Sequence, residues 1–109
     1  MSGRSRQAFM SGKSSYDANH AEIVKTYELL HCGVIDTHGV GFGFPDILVH
    51  FGGYCAPVEI KTEDGDLSPS QTRFMRDWRG PAIEVVRTND DVIAHVTRIR
   101  SRLNKGVAP

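Results

Sequence analysis

GFGFPDILVHFGGYCAPVEIK, residues 41–61, decides how this chain folds. Two short apolar runs, 46–51 and 54–61, flank the pair Gly52-Gly53. Runs of this length joined by Gly-Gly read as a β-hairpin, because the tight two-residue turn needs positive φ at both central positions. The two strands are then antiparallel neighbours. Side chains alternate along a strand, so Glu59 and Lys61 share one face while Val58 and Ile60 take the other. Asp46 opens the partner strand directly after Pro45. Two carboxylates and one ammonium thus converge at one end of the sheet.

Upstream, Ile23, Val24, Tyr27, Leu30 and His31 repeat at helical spacing, with Glu22, Lys25 and Glu28 beside or opposite that stripe. A helix is expected over 17–31, capped by Asp17 or Asn19, with Gly33 supplying the left-handed residue past its end. A short strand at 34–37 follows. Downstream, TEDGDLSPSQ is a polar connection that ends in a helix start. Ser68 is a good N-cap, Pro69 suits the first helical position, and Gln71 completes a capping box. That helix should bury Trp78 and end at Gly80. A last strand over 81–87 and a helix capped by Asn89 follow. The helix carries Val92, Ile93, Val96, Ile99 and Leu103 as its apolar face and Asp90 and Asp91 in its first turn. The element order is α-β-β-β-α-β-α, an α/β arrangement with a mixed sheet flanked by helices.

At 109 residues the chain has room for one core. The expected division is a flexible basic arm at 1–16, a single domain at 17–104 and a frayed tail at 105–109. Formal net charge is zero, which disfavours a protein that coats nucleic acid but not an enzyme with local positive charge. That charge is unevenly spread: Arg4, Arg6 and Lys13 lie in the arm, and only bases, Arg98, Arg100, Arg102 and Lys105, follow Asp91. Such basic ends suit phosphate contacts, but from charge alone two solvated tails are the favoured reading. Cys32 and Cys55 lie far apart with no CxxC pattern, so reduced thiols are expected and neither a zinc site nor a disulfide framework. No apolar run approaches the ~20 residues of a membrane span, and the first residues lack the apolar stretch of a signal peptide. A cytoplasmic setting, with no membrane partner, is the expectation.

Asp46, Glu59 and Lys61 form a set suited to phosphodiester hydrolysis. Hard divalent ions take oxygen ligands and keep several waters, so two carboxylates, with the Ile60 carbonyl as a further donor, can hold one. The ion activates water and stabilises phosphate charge, and a nearby lysine orients the attacking water or offsets that charge. Glu-x-Lys alone is weak, because acid and base alternate on many solvent-facing strands. Its position, on a hairpin strand whose partner begins with Pro45-Asp46, is what makes it specific.

GFGFPDILV followed by PVEIK and then LSPSQ resembles the signature of the PD-(D/E)XK nuclease superfamily, and within it the small VRR-NUC-like and phage or prophage nucleases. The resemblance spans about residues 17–96. It implies a restriction-endonuclease-like α-β-β-β-α-β core, here with an added C-terminal helix, and Mg²⁺- or Mn²⁺-dependent hydrolysis of DNA, duplex or branched. It also implies metal ligation by Asp46 and Glu59, Lys61 beside the nucleophilic water, and support from Gln71. An acid from the first helix is part of the pattern; Glu22 is the best match and Glu28 the fallback. A phage-encoded enzyme acting in host cytoplasm fits this picture, and a homodimer would let one small domain address two strands. The alternative is a catalytically silent DNA-binding module that keeps the fold.

Other residues are weighed beside these. Gln71 fits either a capping role or a site role, which are compatible. Gly41 and Gly43 would let substrate backbone approach Asp46. Phe42 and Phe44 read as core residues or as surfaces for stacking bases, with core favoured for at least one. Arg73, Arg76 and Arg79 step along the helix as a phosphate-contacting row or a solvated face. His38 reads as a strand-end histidine outside the site.

Overall fold

The hairpin forms as its sequence demands. In a computed structural model that describes residues 18–106, β2 (Ile47–Phe51) and β3 (Tyr54–Ile60) pair antiparallel from Ile47↔Val58 to Phe51↔Tyr54. Gly52 and Gly53 both take positive φ, 58° and 81°, as a type I′ turn requires. β1 (Gly33–Asp36) adds antiparallel to β2, and β4 (Glu84–Val86) adds parallel to β3. The four-stranded mixed sheet has the order β1-β2-β3-β4. Three α-helices complete the described chain: α1 (His20–Leu29), α2 (Pro69–Asp77) and α3 (Asn89–Asn104), with a 3₁₀ turn at His38–Val40. The expected α-β-β-β-α-β-α order is thus present in a small α/β domain. The arm at 1–16 and Asp17 lie outside the described residues, as do residues 107–109 of the expected tail.

One face of the sheet carries the core. Ile47, Val49, Val58, Ile60 and Val86 pack with Ile23 and Tyr27 of α1 and with Val92 and Val96 of α3. These strand residues share one parity, so Asp46, Glu59 and Lys61 project from the opposite face. Among the described residues, no helix is long and apolar enough to cross a membrane.

Several local details differ from expectation, each for a physical reason. The left-handed residue after α1 is His31, φ 68°, not Gly33; histidine is one of the residues that tolerates this region. Gly33 opens β1, where the His50 imidazole lies so close that an added Cβ would stand 2.1 Å from it. The cap of α3 is Thr88, which forms a capping box with Asp91, not Asn89. Asn89 instead ties α3 to α1: it accepts a hydrogen bond from Thr26 at 2.8 Å and donates to Glu22 at 2.9 Å. The helix at 69 ends at Asp77, short of Gly80. Trp78 is half-buried in an aromatic group with Phe44 and Phe74, apart from the main core. The last strand is three residues long, inside the expected 81–87.

Periodicity did not foresee His95, buried under α3 with its Nδ1 2.7 Å from the Tyr27 hydroxyl. Burial pulls the His95 imidazole below its ordinary range, with Glu84 opposing and Arg98 adding to the effect. A histidine depressed in the fold binds fewer protons there than in the unfolded chain. Its contribution to stability is therefore complete above the unfolded value near pH ~6.5, and is lost as pH falls toward the folded value. Melting temperature should drop on acidification below that point, and His95→Leu should flatten the slope. Thermal melts from pH 7.5 to 5 in both proteins test this; an unchanged slope in the variant would overturn it.

Candidate active site

The site is assembled by register. Extending the β2–β3 pairing by one step beyond Ile47↔Val58 sets Asp46 opposite Glu59. Directly opposed residues in an antiparallel pair keep their Cβ atoms ~4.5–5.5 Å apart on one face. The backbone of β3 holds the Asp46 carboxylate: Ile60 N–H donates to Asp46 Oδ2 at 2.9 Å. Asp46 Oδ1 lies 3.3 Å from His38 Nδ1.

Glu59 is the unusual member. It is 1% exposed, and an ionised carboxylate so placed is costly unless cations or donors surround it. Lys61 Nζ stands 3.8 Å from Glu59 Oε2, and Gln71 Nε2 donates to the same oxygen at 2.6 Å. One conformation of Gln71 makes the capping box and the contact with Glu59 together. Its Oε1 accepts from Ser68 N–H at 2.8 Å while its own N–H donates to Ser68 Oγ at 3.1 Å, closing the capping box. Because the box needs the amide oxygen at Ser68, the amide NH₂ is left facing Glu59. Helix start and site support are the same device.

These residues line a cleft of about 310 Å³, together with His38, Ser70 and the loop 41–44. His38 is thus in the site, against expectation. Strand parity misjudged it because the 3₁₀ turn, not the strand, carries it, with Asp36 Oδ1 accepting from its N–H at 2.8 Å. Gly41 and Gly43 also line the cleft and take φ of 82° and 79°. A Cβ on Gly43 would stand 2.3 Å from the Ser70 carbonyl oxygen, so the loop rests directly on the first turn of α2. Glu22 does not join the cleft: its exposed carboxylate accepts from Asn89 at the start of α3. The fallback Glu28 is exposed on the same helix and does not line it either.

The strand ends at the cleft are pinned as well. Asn19 Nδ2 donates to the carbonyls of Lys61, 3.1 Å, and Arg87, 2.8 Å, which ties the start of α1 to the ends of β3 and β4. Arg87 Nη1 in turn donates to the carbonyls of Thr62 and Gly65 in the acidic loop, at 2.8 and 2.6 Å.

Among the described residues, no group of three or more His, Cys, Asp or Glu side chains could hold a metal ion. Asp46 and Glu59 bring two carboxylates to the cleft, and Ile60 also lines it. That set suits a hard divalent cation, which fills its remaining positions with water and substrate oxygens. The expected arginine row is broken. Arg73 borders a neighbouring groove, Arg76 is paired with Asp77 at 2.9 and 3.1 Å, and Arg79 lies beyond the end of α2. Comparison with models of known protein families, with curated proteins and with solved structures returns no match.

Proposed function

We propose that this chain is a metal-dependent nuclease that hydrolyses phosphodiester bonds in DNA. The observation that carries the reading is the convergence of Asp46, Glu59, Lys61 and Gln71 on one cleft, with a nearly fully buried carboxylate at its centre. Burial of an acid beside a lysine is hard to account for by stability alone, because a buried ion pair rarely outperforms apolar packing. Under this reading the α-β-β-β-α-β order is a restriction-endonuclease-like core, and α3 is a C-terminal addition.

The roles follow from the contacts. Asp46 and Glu59 would hold Mg²⁺ or Mn²⁺ with the Ile60 carbonyl. Once bound, the ion supplies activation of water and stabilisation of phosphate charge. Gln71 keeps the Glu59 carboxylate oriented, and Ile60 N–H does the same for Asp46. Lys61, 14% exposed at its side chain, orients the attacking water or offsets charge on the phosphate. DNA is the proposed partner, and a second copy of the chain would let the site address both strands.

The test is cleavage of supercoiled, linear and four-way-junction DNA with Mg²⁺, with Mn²⁺ and with EDTA. Metal-dependent cutting is expected, and Lys61→Ala should reduce it by about 10²–10⁴-fold, the usual span for a positioned acid–base group. No metal-dependent cutting of any substrate would overturn the reading. Cutting that survives the substitution would keep the activity and remove Lys61 from it.

A further inference from the structure

Phe42 stands out among the described residues. It is 91% exposed, yet it is held at φ 60°, between two glycines that also have positive φ. A bulky residue in the left-handed region is strained, and such strain tends to be kept where function needs it. The side chain recovers nothing by burial. Position explains it better: Phe42 and Ser70 border both the carboxylate cleft and a second, adjoining groove of about 570 Å³. That groove is lined by Phe74 and Trp78, whose rings stack at 5.3 Å between centroids, and by Arg73 and Arg79. Asp77 also borders it, with its carboxylate occupied by Arg76.

We propose that Phe42 and the adjoining aromatic groove form a nucleobase subsite, which takes one unpaired nucleotide next to the phosphate in the carboxylate cleft. This rests on the nuclease reading above and deepens it: the substrate class is DNA with a single-stranded or splayed nucleotide at the cut. A stacked base must leave its neighbours, so an intact duplex cannot use the subsite. The aromatic faces supply sequence-tolerant stacking, and Arg73 and Arg79 match the charge of the flanking backbone. Gly43, pressed against Ser70, sets how far Phe42 stands from α2.

The experiment is fluorescence anisotropy with Ca²⁺ present, using a labelled single-stranded dT 12-mer, an abasic 12-mer of the same length and a 12-base-pair duplex. The intact protein should prefer the dT strand over the abasic strand by about tenfold, the size of one stacked base. That preference should vanish in Phe42→Gly and persist in Phe42→Trp, and duplex affinity should fall by less than dT affinity in Phe42→Gly. Phe42→Gly relieves the backbone strain, so its melting temperature should rise by about 3 °C, which separates lost stacking from lost folding. Equal affinity of the intact protein for the dT and abasic strands overturns the subsite, as does a base preference that survives Phe42→Gly. Base preference without metal-dependent cleavage would keep the subsite and remove the nuclease reading. Cleavage without base preference would do the reverse.

Discussion

Replacing Glu59 with glutamine is expected, under the nuclease proposal, to lower metal-dependent DNA cleavage by about 10³-fold or more, since the lost charge stabilisation is worth several kcal/mol and each ~1.4 kcal/mol is tenfold in rate. The same substitution should leave melting temperature unchanged or higher. Glutamine has the shape of glutamate, so the packing around residue 59 is kept. Its side-chain oxygen can still accept from Gln71 Nε2, now at 2.6 Å from Glu59 Oε2. What disappears is a negative charge that is 1% exposed, and with it the cost of holding an ionised carboxylate away from water. Lys61 loses its neighbour at 3.8 Å but keeps some contact with water. Activity and stability should therefore move in opposite directions, the pattern of a residue retained for chemistry. Single-turnover cleavage and thermal melts on the same preparation measure both. Cleavage within tenfold of the intact protein would remove Glu59 from the chemistry, and a parallel collapse in melting temperature would make it a structural residue.

How much of this was legible in the sequence depends on whether one element or several decide a residue's place. The hairpin was readable because Gly52-Gly53 admits few alternatives, and the shared face of Glu59 and Lys61 follows from strand periodicity once the hairpin is set. The Ser68–Gln71 box was readable for the same local reason. Its consequence, an amide NH₂ directed at Glu59, needed the first turn of α2 to be placed beside Glu59 in the fold. His38 was misjudged because a 3₁₀ turn turns it back toward Asp46, and nothing in strand parity anticipates such a turn. The Thr88-Asn89 pair holds two residues that cap well. Asp91, three residues beyond Thr88, decides between them, while Asn89 is drawn to Thr26 and Glu22 across the helix pair. That same contact explains why Glu22, plausible on helical spacing, faces α3 rather than the cleft. Which way a helix turns about its axis is a property of its tertiary partners. His95 was overlooked because a histidine inside an apolar stripe looks like its polar border, and only the Tyr27 hydroxyl makes its burial affordable.

Tyr27 is where the largest loss of stability is expected. Tyr27→Ala removes a side chain with 0% exposure and should cost about 3–5 kcal/mol, as large aromatic truncations in cores do. A domain of this size holds roughly 5–10 kcal/mol in all, so the variant should be close to unfolding at 37 °C. Tyr27→Phe isolates one component. It keeps the edge-on contact with the His95 ring, 5.9 Å between centroids at 89°, and removes only the hydroxyl. The buried His95 Nδ1 then loses its 2.7 Å partner, at a cost of about 1–3 kcal/mol. Urea titration of the three proteins should order them intact, Phe, Ala; a Tyr27→Phe midpoint equal to that of the intact chain would show that the hydrogen bond contributes nothing net. The consequence reaches the cleft, because α1 carries Asn19, whose amide joins the ends of β3 and β4 beside Lys61. Cleavage by Tyr27→Phe at a temperature where it is fully folded should equal that of the intact protein if α1 acts only through stability. Reduced cleavage under those conditions would show that the seating of α1 reaches Lys61 through Asn19.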